Sequence, residues 1–565
     1  MKKFFLHSAL LLCVSLSAVA QTPYIAPELR TVDPTQSVRV IVQYASGASR
    51  RPNLSAPVFG YKLYRRFNNI PADSLSVPGN SIAALASLPN VAAIVPDRRV
   101  HVLLDNTAAA VNAQAAWNLG LDGTGIGIAL IDSGVSPHDD LMGANGSRVV
   151  FEDDLVGGDG TDRYGHGEHV AGILAGNGTD SSCGPCSRHL VGLAPNANLI
   201  SLRVLDQNGE GNDSDVIAAI DEAISLQSQY NIRVINLSLG RPVYESYQTD
   251  ALCQAVEAAW AAGIVVVAAA GNDGRDNSFS NNGYGTIAAP GNDPYVITVG
   301  AMKTMGTPDR SDDLIASYSS KGPTAIDHIV KPDLVAPGNL VVSLLSRGST
   351  LPLTYPQNSV ALNYYRSNAR PGTISTSYFT LSGTSMATPV VSGAAALLLQ
   401  LWPSLTPDQV KRILMQTAYK QFPQSSRATD PTTGQTYTSE YDVFTVGAGY
   451  LDIQAAIQNP NLWYPRRQSI SPVAVYSPPV YGGSGSAQII CTASTVCAGT
   501  SGLYSLQSFW GTQAINANQS IWGNQSIWGD QSIWGDQSIW GDQSIWGDQS
   551  IWGDVSFLAM INGEP

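Results

Sequence analysis

Ile126-Gly127-Ile128-Ala129-Leu130-Ile131-Asp132-Ser133-Gly134 is an unbroken apolar run that stops on a carboxylate and a turn. Continuous apolar residues over strand length mark a strand covered on both faces. Three runs of the same kind follow, at 197–204, 234–239 and 264–269, with helical stretches at 214–227 and 251–261 between them. This alternation predicts an α/β fold on a parallel sheet, with chemistry at the carboxyl ends of the strands. The polar residues that follow each run are therefore the ones to read.

Asp132 closes the first run and puts a carboxylate at that edge, although aspartate is also a common turn former. Tyr164-Gly165-His166-Gly167-Glu168-His169-Val170-Ala171-Gly172 sets a histidine at the mouth of a small-residue helix. His166 and His169 lie one turn apart, but no matching Cys or His group follows to complete a zinc site, so His169 is read as a packing residue. The run ending at Ala270 leads into Gly271-Asn272-Asp273-Gly274, where Asn272 either takes a left-handed turn or offers its amide to a developing negative charge. Ser382-Gly383-Thr384-Ser385-Met386-Ala387-Thr388-Pro389 precedes a segment, 390–399, that is small and apolar all round, as a fully buried helix requires. Pro389 is expected in the first turn, where its missing N–H costs nothing. A serine at this helix start has free N–H groups and the positive dipole end beside its hydroxyl. An ordinary N-cap serine looks the same locally.

Asp132, His166, Asn272 and Ser385 occur in that order, each at a strand end or helix start. Over roughly residues 106–460 the chain resembles the subtilisin-like serine peptidase family, whose order of triad residues and oxyanion asparagine these are. Stretches 317–323, 331–338 and 447–452 fit its pattern as well. The resemblance implies a subtilisin-like parallel sheet flanked by helices, and a serine endopeptidase acting on proteins or peptides. In it Ser385 attacks the carbonyl, His166 takes the proton and returns it to the leaving amine, and Asp132 orients the imidazole. Asn272 and the Ser385 N–H would hold the oxyanion. By the same resemblance Ser238, Leu239 and Gly240 with Ala269, Ala270 and Gly271 wall the primary specificity pocket, and Gly209, Glu210 and Gly211 offer an edge for an extended substrate. Gly240 is expected to leave that pocket open to large apolar side chains. No organic cofactor is implied; calcium is allowed by analogy, with no ligands assignable from the sequence. Two departures stand out. Glu168 replaces the family's usual threonine, close enough to His166 to alter its pKa, and stretches 177–190 and 346–378 look inserted. The rival readings are an inert protease fold serving a surface-binding protein through its tail, and a maturation peptidase with one dedicated substrate. The intact quartet speaks against the first.

The remaining segments divide around this domain. Lys2 and Lys3, an apolar run over 4–19 and Ala18-Val19-Ala20 read as a secretory signal peptide over 1–20, and no later segment reaches the ~20 apolar residues of a membrane span. The mature protein is expected to be exported. Residues 21–105 form a small α+β module, with strands at 38–44 and 91–95 and a helix at 81–88. The resemblance makes this an inhibitory propeptide, cut near Leu104-Asp105. Thr406 and Gln409 frame Pro407 as a capping box. A linker rich in Pro, Tyr, Ser and Gly, 461–514, leads to a tail, 515–565, in which Ile-Trp-Gly recurs at Ile521, Ile527, Ile533, Ile539, Ile545 and Ile551. An even period keeps Ser526, Trp528 and Asp530 on one face of an extended chain in every copy, which predicts a β array dispensable for catalysis. Cys183-Gly184-Pro185-Cys186 spells a redox motif without a thioredoxin-type fold around it, so a local disulfide is expected, with Cys491–Cys497 as a second and Cys253 left unpaired. A formal net charge of −13 argues against nucleic-acid binding, which wants a basic face.

Overall fold

The computed structural model describes residues 23–30, 32–45, 60–67, 71–96, 106–278, 281–430, 433–459, 468–477, 486–490, 494, 561, 563 and 564. The leader, the cut expected near Leu104-Asp105, Cys491, Cys497, most of the linker and the Ile-Trp-Gly repeats lie outside these residues. The chain divides into two units, 1–101 and 102–565.

The first unit carries strands β1 (Tyr24–Ile25), β2 (Ser37–Tyr44), β3 (Lys62–Arg66), β4 (Ala72–Pro78) and β5 (Val91–Pro96), in the sheet order β1-β5-β2-β4-β3. The period of two in β2 is visible in its burial: Val40, Val42 and Tyr44 face the core while Arg39 and Gln43 are exposed. Ile82 and Leu85 of helix α1 (Ile82–Ala86) join Leu75, Val77 and Ile94 in that core.

In the second unit the apolar runs are strands β6 (Gly127–Asp132), β7 (Val149–Asp154), β8 (Asn198–Arg203), β9 (Ile232–Leu237), β10 (Val265–Ala269), β11 (Ile297–Lys303), β12 (Leu314–Ile315) and β13 (Leu334–Pro337). They pair in the order β7-β8-β6-β9-β10-β11, and β11 then takes both β13 and β12. Every pairing is parallel except β11 with β12. Helices α2 (His166–Ala175), α3 (Asp213–Ser225), α4 (Ala251–Ala261), α5 (Thr384–Leu401) and α6 (Pro407–Thr417) flank the sheet. Helix α5 crosses β9, β10, β11 and β13 and also packs on α2. It is buried on all sides through Leu399, which explains why its residues are small: a Cβ on Gly393 would lie 2.4 Å from the Cβ of Leu193. Its length and apolarity would suit a membrane span, but 89% of it is buried in this core. Thr406 and Gln409 form the expected capping box on α6. Cys253 is buried on α4 and donates to Asn292 Oδ1, while the sulfurs of Cys183 and Cys186 are joined.

The expected end of this domain near Pro460 comes too early. Lys411 on α6 is fully buried and donates to the carbonyls of Pro294, Tyr295 and Val296 and to Ser471 Oγ, at 2.8–3.1 Å. Ser471 in turn donates to Asp333, which pairs with Lys331 at 2.7 Å. Burial pushes the Lys411 ammonium down to about 7. Ala474 and Ile561 belong to the same core. The sequence hid this because a Pro- and Ser-rich composition reads as linker whether or not the polar side chains complete a buried cluster.

Candidate active site

Asp132 ends β6, and its Oδ1 lies 2.7 Å from Nδ1 of His166, the first residue of α2. Both are buried. What fixes this approach is a strut the sequence reading passed over. Asp162 accepts the N–H groups of Tyr164 and Gly165 and, through its other oxygen, that of Glu168, so it satisfies the open N-terminus of α2. The hydroxyl of Ser133, next to Asp132, donates to Asp162 at 2.9 Å and accepts the Gly167 N–H at 2.9 Å. Strand end and helix start are thereby locked together. The available signal was an Asp four residues before the histidine, placed to cap.

Burial pulls the His166 imidazolium down, but the charge and hydrogen bond of Asp132, with Asp162 behind it, hold it above its usual value. His169, one turn on, lies within 3.0–3.2 Å of the carbonyls of Val341 and Phe379; burial pushes it down to about 3, so it is a neutral packing residue as expected.

Glu168 does not perturb His166 in the way expected. It is fully buried; Oε2 accepts the Ser136 N–H at 2.6 Å, and Oε1 has no hydrogen-bond partner among the described residues. Burial, first, and the carboxylates of Asp162, Asp140 and Glu152 drive its pKa well up. The folded chain keeps a proton that the unfolded chain releases near the ordinary glutamate pKa, so this group costs stability progressively as pH rises toward its folded pKa. Glu168→Gln removes that cost. The melting temperature of the variant relative to the parent is expected to rise as the pH climbs above the ordinary glutamate range in thermal scans; a flat or falling difference would show that the fold does not raise the Glu168 pKa.

Ser385 is the second residue of α5, in the first turn, where the helix offers no acceptor to its N–H. Its Oγ, like Nδ2 of Asn272, is buried without a protein hydrogen-bond partner among the described residues. Asn272 Oδ1 accepts both the N–H and the hydroxyl of Thr384, at 2.9 and 3.1 Å, so the asparagine is clamped to the serine's own turn with its amide nitrogen left over. Pro389 is the sixth residue of the helix, not in its first turn as expected. With no N–H at 389, the Ser385 carbonyl loses its helical donor, and Ser238 Oγ supplies one at 2.8 Å. Ser238 itself rests on Asn236, which accepts from Ser392 of α5.

A Cβ on Gly240 would lie 2.9 Å from the Ala289 carbonyl and 3.1 Å from the Ala288 Cβ, so glycine also serves a close approach here. Ala288 and Ala289 tie the two expected pocket walls together, through Ala288 N–H to Ala270 O and a reciprocal pair between Ala289 and Arg241. The segment Gly209, Glu210 and Gly211 folds over Asp206, and Gly209 (φ +80°) leaves 2.6 Å between a built Cβ and the Tyr164 ring. The inserted stretches find each other, with Ser187 N–H on Tyr365 O and the Arg188 guanidinium 4.2 Å over the Tyr364 ring. The second also supports the His166 turn, through Leu351 N–H to Tyr164 O and Ser346 Oγ to Asp162 O.

His138, Asp140 and Asp180 are the group of acidic and histidine side chains, among the described residues, close enough to share an ion. They do not fit calcium. Asp140 already accepts the Asp180 N–H and the Tyr378 hydroxyl, and a nitrogen ligand is foreign to a cation that takes 6–8 oxygens.

The structure thus shows an aspartate-oriented imidazole on one side and, on the other, a hydroxyl in the first turn of a helix whose Thr384 is tethered to Asn272, the residue types that acyl transfer requires. Residues 123–449 match the family model described as "Subtilase family". Serine protease AprX of Bacillus subtilis is 39% identical over 368 residues, covering 62% of this chain and 75% of that protein. Subtilisin DY of Bacillus licheniformis is 34% identical, over 62% of this chain and 96% of its own length. Subtilisin E of B. subtilis is 32% identical over 403 residues, 71% of this chain and 84% of that protein.

Proposed function

Because the chain belongs to the subtilase family and is by that membership a serine endopeptidase, we propose that Asp132, His166 and Ser385 are its catalytic triad and Asn272 its oxyanion donor. The observation that carries the assignment is the double tether: Asp132 on His166 at 2.7 Å, and Asn272 on the Thr384 N–H at 2.9 Å with its amide nitrogen unused. His166 removes the Ser385 proton as Oγ attacks the peptide carbonyl, and the resulting imidazolium is stabilised by Asp132. The oxyanion is met by Asn272 Nδ2 and the Ser385 N–H. His166 then protonates the leaving amine, and water hydrolyses the acyl-enzyme by the reverse relay.

Around this centre, Ser238, Leu239 and Gly240 with Ala269, Ala270 and Gly271, joined by Ala288 and Ala289, line the primary pocket. Gly209, Glu210 and Gly211 take the extended substrate. The chain is made as an exported precursor with leader 1–20 and inhibitory propeptide 21–105, and cuts itself near Leu104-Asp105. A prosegment suits a fold of long-range parallel pairings, which forms slowly and is exposed to digestion meanwhile. The Cys183–Cys186 bond suits export. The purified mature enzyme is expected to hydrolyse casein, and residues 21–104 added in trans to inhibit it at micromolar concentration, occupying the cleft as a product does. No hydrolysis would overturn the enzymatic reading; hydrolysis indifferent to the added module would overturn the prosegment alone.

A further inference from the structure

Ile561, Gly563 and Glu564 pack inside the peptidase unit, far in sequence from the residues they meet. Ile561 lies in the main core, and the side chain of Glu564, the penultimate residue, is only 1% exposed. A carboxylate is buried only where partners replace its water, and here residues far off in sequence supply them. Arg275 Nη2 donates to Oε1 at 2.7 Å and the Ser317 N–H at 2.9 Å, the Ser317 hydroxyl donates to the same oxygen, and Lys303 Nζ lies 3.2 Å from Oε2. Arg275 and Lys303 are themselves 6% and 4% exposed. Asn339 grips the backbone both ways, Nδ2 donating to Glu564 O and Oδ1 accepting the Glu564 N–H, each at 2.8 Å. Asn358 donates to the Ile561 carbonyl. At Gly563 (φ +65°) a Cβ would lie 2.4 Å from Leu340 and 2.7 Å from Ser382 Oγ, so only glycine threads this gap.

The contacts lie against both loops of the reaction centre. Arg275 follows Asn272 by three residues, and its loop is held to the Ser317 loop by Gly274 N–H to Tyr318 O, Asp273 N–H to Ser320 Oγ and Ser320 N–H to Gly271 O. On the other side, Leu340 N–H donates to Ser382 Oγ and Gly383 N–H to Gly338 O, immediately before Ser385. Glu564 bridges the two through Ser317 and Asn339.

We propose that Arg275, Lys303, Ser317 and Asn339 form a binding site for an acidic peptide segment, filled in cis by the segment carrying Ile561, Gly563 and Glu564, whose occupancy holds the Asn272 loop and the Ser385 turn together. Glu564 is then a positioning residue, and the tail's end is not dispensable as the sequence suggested. The kinetic part rests on the proposed catalytic roles; the binding part does not.

The full-length chain carrying Glu564→Gln keeps the shape and loses the charge. In hydrogen–deuterium exchange the amides of Ile561, Gly563 and Glu564 are expected to be protected in the parent and to exchange about tenfold faster or more in the variant. Gly563→Ala should do the same by steric exclusion. With casein both variants should lose kcat by roughly tenfold with KM little changed, because the loops they loosen act in the transition state. As a direct arm, a chain ending at Met560 and carrying Ser385→Ala, which prevents digestion of the probe, is titrated with a fluorescent peptide of residues 555–565. Saturable binding that the Glu564→Gln peptide lacks supports the site. Equal exchange in parent and variants, or a peptide that fails to bind, would overturn it; faster exchange with unchanged kcat would overturn the coupling to the oxyanion loop.

Discussion

Ser385→Ala is expected to leave a folded precursor that neither hydrolyses casein nor releases its prosegment, residues 21–105, with kcat down by about 10⁶-fold, a magnitude that belongs to subtilisin and not to this geometry. The small size of the change is what makes it informative. Ser385 is buried on α5, and its Oγ makes no protein hydrogen bond among the described residues, so alanine removes no structural partner. Its carbonyl, which does have one in Ser238, stays in place. Loss of activity with an unchanged melting temperature therefore isolates the nucleophile. Activity within tenfold of the parent, measured on the purified chain, would sink the assignment.

Removing Asn272 is expected to cost about 10²–10³-fold in kcat with KM nearly unchanged, the range known for the equivalent donor in subtilisin. Alanine alone does not separate the two jobs of this side chain, because Oδ1 also accepts from Thr384. Asn272→Asp does. It retains the acceptor for Thr384 and deletes the donor. If the amide nitrogen meets the oxyanion, aspartate should be at least as damaging as alanine; near-parental activity in the aspartate variant would mean that Asn272 only braces the turn.

The parts of this molecule that were legible in its sequence are those where a single local pattern decides the outcome. Unbroken apolar runs fixed β6, β8, β9 and β10 within a few residues, and Ala251–Ala261 is a helix as expected. Asp132 and His166 were readable because a strand end and a helix start announce themselves. What escaped depended on distant partners. Pro389 moved from the first turn to the second because Ser238 stands ready to replace the lost donor, a contact spanning 147 residues. Gly240 turned out to serve a close approach of Ala288 and Ala289. Asp162 matters through oxygens that reach the start of α2 and the Ser133 hydroxyl, 29 residues back. Glu564 is the extreme case, since nothing in a short acidic ending signals that Arg275 and Ser317 await it 289 and 247 residues away. Buried polar networks are satisfied group by group, but the sequence does not say by whom.

The central claim is that Ser385 is the one activated nucleophile, with His166 as its base. The most direct measurement is to react the enzyme with a serine-directed phosphonylating reagent and locate the adduct by peptide mass spectrometry, in the parent and in His166→Ala, both produced without residues 21–105 attached because a chain lacking its base is not expected to cut itself. A single adduct is expected on the peptide containing Ser385, formed in step with the loss of casein hydrolysis and nearly absent in His166→Ala. Inactivation with Ser385 unmodified, or equal labelling in the two proteins, would contradict it.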